Sequence, residues 1–297
     1  MKKGILILFL FGFSSCLKLD SNLYNNDNTI KEYLLDKYTG EQDFILDASY
    51  DIPSSFIHQF SLTSKTPEET TALNIQAIYI GDVNRINTDT VILYCHGNKW
   101  HMDFYWQRAK LLAHTGSKNR FGVLMFDYRG FGLSEGEPSE EGMYADTKAC
   151  LEWLRLKGLS DERLVMYGFS LGSAASCELT ANPGVLKPER LILEAPFGSA
   201  EVMVQDASQL NMPAAYFTDL KIDNAEEIKK VTQPFLWIHG LNDLFLNYKT
   251  HGEVVYKNYK GVFSRKHLVD GADHGEVPEK MGFEAYCKNL ETFITGN

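Results

Sequence analysis

A chain of 297 residues, 44% hydrophobic and 12% aromatic, can bury one large core and leaves little length for a second domain. Its formal net charge of −10, with basic residues gathered only into short pairs such as Lys229-Lys230, speaks against nucleic acid as a partner. No His-Glu-x-x-His or Cys-x-x-Cys occurs, and His96 and His101 have neither a helical nor a zinc-motif spacing, so no metal or other cofactor is expected.

At the N-terminus, Lys2-Lys3 and the apolar run Ile5-Leu6-Ile7-Leu8-Phe9-Leu10-Phe11 have the leading regions of a secretory signal, and the run is too short to span a bilayer comfortably. Phe13-Ser14-Ser15-Cys16 is similar to a bacterial lipobox, with Phe13 where leucine is usual. Residues 1–15 are therefore expected to be a lipoprotein signal and Cys16 the lipidated first residue of an exported, membrane-anchored protein. The alternative is an ordinary signal or retained anchor with an incidental cysteine. Residues 16–40, with the polar patch Asp20-Ser21-Asn22-Leu23-Tyr24-Asn25-Asn26-Asp27-Asn28, read as a flexible spacer in which Tyr33-Leu34-Leu35 could begin a short helix. Residues 41–297 then form the domain. Cys95, Cys150, Cys177 and Cys287 show no close pairing and are expected as free, mostly buried thiols.

Two alternating segments, 56–62 and 74–80, read as antiparallel edge strands. From there strands and helices alternate. Apolar runs at 91–94, 123–126, 164–167, 191–193 and 235–238 and the short segment 265–269 read as strands, and segments at about 103–114, 140–156, 171–181, 248–259 and 278–294 as helices. This is an α/β pattern: a mostly parallel sheet covered on both faces, with the loops at the strand carboxyl ends forming the site. The one long insertion, about 198–232, carries Met203, Leu210, Met212, Pro213, Tyr216 and Phe217 and reads as a small lid. A packed crossover without ligand contact is the alternative.

Chemistry collects in those loops. The first strand ends in Cys95-His96-Gly97-Asn98, where Gly97 permits a turn that can aim an amide into the site. The second leads into Asp127-Tyr128-Arg129-Gly130 and Gly132-Leu133-Ser134-Glu135-Gly136, a Gly-x-Ser-x-Gly match fed by no strand, so Ser134 is assigned to a turn and Asp127 to holding the loop through backbone bonds. Gly168-Phe169-Ser170-Leu171-Gly172 matches the same pattern between a strand and a helix, which makes Ser170 the candidate nucleophile. Serine needs a base, and the base needs an orienting acid. Asp243, in the Gly240-Leu241-Asn242-Asp243 loop, and His274, in Gly271-Ala272-Asp273-His274-Gly275, follow in the order expected of strand-end loops of one parallel sheet. Glu194 is the rival acid, and His239 reads as a structural hydrogen bonder. Backbone N–H groups of Asn98 and Leu171 would receive the oxyanion.

Together these motifs resemble the α/β-hydrolase superfamily, from about Gln76 to the C-terminus, and His96-Gly97-Asn98 with Asp127-Tyr128-Arg129-Gly130-x-Gly132-x-Ser134 is similar to its small-lidded esterase and depalmitoylase-like branch. The resemblance implies Ser170 as nucleophile, Asp243 as acid, His274 as base and amides of Asn98 and Leu171 as oxyanion donors. It implies a serine hydrolase acting on a small-molecule ester, thioester or acylated substrate through an acyl-enzyme. An exported peptidase is a second reading, and a lipid-anchored binding protein with a hydrolase fold a third.

Overall fold

Runs of apolar residues without a polar face are stable as strands only when both faces are covered. In the computed structural model, which describes residues 24–116, 121–208 and 218–296, they are. The strands are β1 (Asn25–Asn26), β2 (Ile57–Ser64), β3 (Leu73–Ile80), β4 (Thr90–Cys95), β5 (Lys99–Trp100), β6 (Phe121–Phe126), β7 (Leu164–Phe169), β8 (Arg190–Glu194), β9 (Phe235–Gly240) and β10 (Ser264–Val269). Eight of them form one sheet in the order β10-β9-β8-β7-β4-β6-β3-β2. All neighbours from β10 to β6 are parallel, and β3 is antiparallel to both β6 and β2. Only β2 of the two leading strands is therefore an edge; β3 is paired on both sides, in keeping with its wholly apolar carboxyl half.

The helices are α1 (Met102–Ala113), α2 (Glu140–Leu156), α3 (Gly172–Ala181), α4 (Ala200–Ser208), α5 (Asn224–Glu227), α6 (Gly252–Asn258), α7 (Val277–Met281) and α8 (Phe283–Thr295). Successive side chains of a strand point to opposite faces, so Val91, Leu93 and Cys95 of β4 join one core with Leu151 and Leu154 of α2 and Ala174 of α3. Ile92 and Tyr94 join the other, with Trp106 of α1 and Leu290 of α8. The start of α2 follows from Ser139, whose hydroxyl accepts from the Gly142 N–H at 3.1 Å. The continuous helix expected over 278–294 breaks in two at Gly282, whose φ of +84° is a conformation that stops a helix. The four cysteines 95, 150, 177 and 287 are free and buried, and burial pushes the Cys95 thiol up to about 12.

The spacer expected over 16–40 is, from Tyr24 onward, a docked segment. β1 pairs with β5, the Tyr33 hydroxyl donates to Asp127 at 2.6 Å, and the N–H groups of Leu34 and Leu35 donate to the buried Asp103 at 2.9 and 2.7 Å. The signal and lipidation positions, 1–16, lie outside the described residues. None of the described helices is long and apolar enough to cross a membrane.

Candidate active site

Ser170 follows the last residue of β7 with a φ of +52°, a left-handed conformation that a non-glycine residue holds only when its surroundings impose it. Two glycines explain how. A Cβ on Gly172 would lie 1.9 Å from the Cys95 carbonyl oxygen, and one on Gly168 would lie 2.6 Å from that of Gly172. Strand and helix can approach this closely only without side chains there. The Ser170 N–H donates to the Glu194 carbonyl at 3.0 Å, tying the elbow to β8.

His274 reaches the serine from the loop after β10. Its Nε2 stands 2.9 Å from Ser170 Oγ, and its Nδ1 stands 2.7 Å from Asp243 Oδ2. The other oxygen, Asp243 Oδ1, accepts from the N–H groups of Phe245 and Leu246 at 2.9 and 2.7 Å. An ionised carboxylate cannot donate, so Nδ1 carries the imidazole proton and Nε2 is left to accept from the serine hydroxyl. Three residues about a hundred positions apart at most thus form one continuous hydrogen-bonded line.

His239 is a hydrogen bonder, and one of its partners is Asp243. Trp237 Nε1–H donates to its Nδ1 at 3.1 Å, which assigns the ring proton to Nε2, and Nε2–H faces Asp243 Oδ2 at 3.2 Å and the Leu246 carbonyl at 2.9 Å. Asp243 therefore receives two imidazole N–H groups and two backbone N–H groups. Burial by itself would raise its pKa, but the hydrogen bonds from His239 and His274 outweigh that and hold the carboxyl well below the usual carboxylate range.

Glu194, the rival acid, is committed elsewhere. It is fully buried, paired with Arg108 Nη1 at 2.5 Å, and accepts from the hydroxyls of Tyr167 and Tyr286. Sequence reasoning missed Arg108, because a lone arginine in a helix pattern ordinarily reads as surface. Its guanidinium stacks over Phe169, 4.2 Å from the ring centroid, and donates to the Gly275 carbonyl at 3.0 Å beside His274. Ser134 is a turn residue as expected, accepting from Gln76 N–H and donating to the Asp127 carbonyl. Asp127 holds the glycine-rich loop differently from the expectation: its carboxylate takes the Tyr33 hydroxyl, whose oxygen in turn accepts from Leu133 N–H at 3.0 Å. Its other oxygen stands 3.1 Å from His96 Nε2 in a fully buried contact.

Asn98 lines a cavity of about 670 Å³ together with Ser170, His274, Tyr105 and Phe245, and Met203 and Val204 of the insertion close one side of it. The insertion thus contributes to the wall of the cavity that Ser170 lines. Residues 209–217, its middle, lie outside the described residues. Leu171 follows the serine directly, and the close packing of Gly172 on Cys95 brings its turn against the one that carries Asn98. No group of three or more His, Cys, Asp or Glu among the described residues is disposed to hold a metal ion.

A family model described as the alpha/beta hydrolase fold matches residues 90–212, from the start of β4 to beyond the elbow. Among curated proteins, alpha/beta hydrolase domain-containing protein 17B of Xenopus tropicalis is 29% identical over 213 residues, which is 70% of this chain and 67% of that protein. The uncharacterized protein YfhR of Escherichia coli is 28% identical over 210 residues, 70% of this chain and 71% of YfhR. Among solved structures, the esterase Pf2001 of Pyrococcus furiosus superposes with a TM-score of 0.65 over 92% of this chain and 97% of its own, at 13% identity. Est1E of Butyrivibrio proteoclasticus, solved with ferulic acid bound, superposes with a TM-score of 0.60 over 79% and 98%, at 16% identity. The sheet order, the elbow between β7 and α3 and these likenesses agree: the chain has the α/β-hydrolase fold.

Proposed function

We propose that this hydrolase cleaves a carboxylic ester or thioester, with Ser170 as its nucleophile and a covalent acyl-enzyme as its intermediate. The observation that carries the reading is the line from Ser170 Oγ through His274 to Asp243. In the first step His274 Nε2 takes the hydroxyl proton as Oγ attacks the acyl carbon, and Asp243 balances the imidazolium. The negative oxygen of the tetrahedral intermediate is received by the backbone N–H groups of Asn98 and Leu171. His274 then returns the proton to the departing alcohol or thiol. Water, deprotonated by the same nitrogen, releases the acid and restores Ser170.

Ester chemistry is supported by the structural neighbour Pf2001, an esterase, and by the apolar side chains of Phe245, Met203, Val204 and Tyr105, which line the same cavity as the serine. The similarity of the His96-Gly97-Asn98 and Asp127-to-Ser134 motifs to the depalmitoylase-like branch supports an acyl thioester as the second substrate class. The folded protein is expected to be labelled by a fluorophosphonate probe, and Ser170→Ala to lose both label and ester turnover, the latter by about three orders of magnitude or more. A folded wild type that resists the probe, or a Ser170→Ala variant that labels equally, ends this reading. Turnover of aminoacyl nitroanilides but not of nitrophenyl esters would make the enzyme a peptidase.

We also infer that the chain is exported and attached to the cell envelope through lipid on Cys16, supported by Lys2-Lys3, the apolar run after it and the small residues Ser14-Ser15 before the cysteine. Cys16→Ala should move the protein from the membrane fraction to the soluble fraction of disrupted cells.

A further inference from the structure

The turn that carries Asn98 is held from outside the main sheet by the N-terminal segment, and we propose that Asn25 is a positioning residue for the reaction, acting through Asn98. This rests on the reading of the Asn98 amide as an oxyanion donor. β1 runs parallel to β5 with Asn25 opposite Lys99 and Asn26 opposite Trp100, and among the described residues β5 has no other strand partner. The Asn25 N–H donates to Asn98 Oδ1 at 3.1 Å, and the Asp27 N–H donates to the Trp100 carbonyl at 3.2 Å. On its other side the segment grips the glycine-rich loop: Asn26 Nδ2 donates to the Gly130 carbonyl at 2.5 Å, and the Asp27 carbonyl accepts from Gly132 N–H at 2.8 Å.

The turn needs this support. Trp100 has a φ of +50°, where a bulky side chain stays only if neighbours hold it, and its position ends a strand of two residues that no helix continues until Met102. A side chain pinned at its tip restricts the backbone that bears it, so the bond from Asn25 limits how the Asn98 peptide can rotate. Oxyanion donors act through being aimed before the charge develops, and a hydrogen bond weakens steeply as its angle is lost. Asn25 also lines the cavity itself, so the clamp lies at the edge of the reacting region and not at a remote surface.

The test uses the full chain and two variants that remove opposite ends of one hydrogen bond: Asn98→Ala, which keeps the backbone amide and loses the acceptor, and Asn25→Pro, which loses the donor. Each is expected to lower kcat on a short-chain nitrophenyl ester about tenfold with KM within about twofold of wild type, and to slow fluorophosphonate labelling of Ser170 in parallel. Because the two changes break the same bond, the double variant should be no slower than the slower single one. Single variants with wild-type kcat, or losses that multiply in the double variant, overturn the proposal while wild-type labelling keeps Ser170 as nucleophile. If Asn25→Pro does not fold, Asn98→Ala with unchanged kcat and labelling rate still overturns it. A folded wild type that never labels removes the hydrolase reading and this inference with it.

Discussion

Asp243 is the residue on which the candidate site balances. Its folded pKa lies below its unfolded one, so its stabilising effect is fully present above the ordinary carboxylate range and is lost only as pH falls through the depressed folded value. Asp243 therefore stays ionised wherever the enzyme is assayed under mildly acidic conditions, and protonation of this group does not set the acid limb of activity. Asp243→Asn should cost about four orders of magnitude in kcat, because the amide stabilises the wrong imidazole tautomer. His239 is the second test at this scale. Its Nε2–H bonds a buried carboxylate, so His239→Ala should destabilise the fold by about 2 kcal/mol, measured by urea unfolding, and lower kcat with little change in KM. The sequence showed a histidine at a strand end; that its proton points at Asp243 follows from Trp237 donating to the other ring nitrogen and from two acceptors, Asp243 and the Leu246 carbonyl, facing Nε2.

Between elements, Arg108 and Glu194 join α1 to β8, and Tyr167 and Tyr286 bring β7 and α8 onto the same carboxylate. Breaking a buried pair strands a charge in the core, so Glu194→Gln should lose about 3 kcal/mol or more of stability while the fraction that remains folded still takes the phosphonate label. A rival acid of the reaction would lose the label too. Gly172→Ala should be worse for its size than any neighbouring substitution, since its Cβ meets the Cys95 carbonyl at 1.9 Å where neither strand nor helix can retreat. Where the insertion begins, the Gly198 N–H donates to Nδ1 of the buried His251 at 3.1 Å. Burial, partly offset by nearby Asp206, lowers the His251 pKa from its ordinary value near 6.5. The folded state thus binds fewer protons here than the unfolded chain, so this contribution is present above pH 6.5 and fades as pH falls toward the depressed value. The melting temperature should fall between pH 7 and 5, less steeply in His251→Gln.

At the scale of the whole molecule, the segment from Tyr24 through Lys37 belongs to the folded body. A chain beginning at residue 41 would lose the bonds to Asp103, Asp127 and β5 together, and should be less stable than one beginning at residue 24 by about 3 kcal/mol or more, measured by thermal unfolding of both. Its polar composition hid this, because a two-residue strand and a few side-chain bonds leave no periodicity to read. The alternation of apolar strands and helices did leave one, and the α/β class, the parallel sheet and the order of the Ser170, Asp243 and His274 loops were legible from it. Local patterns sufficed there because β4, β6, β7, β8 and β9 are buried on both faces and each loop follows directly from its strand. What set Asp243 rather than Glu194 against His274, buried Arg108 behind His274 and laid Asn25 against Asn98 is contact between residues far apart in the chain. No local pattern records such contacts, so the sequence by itself determined which elements form and which chemical groups their ends carry, while only the tertiary structure decided which of those groups meet.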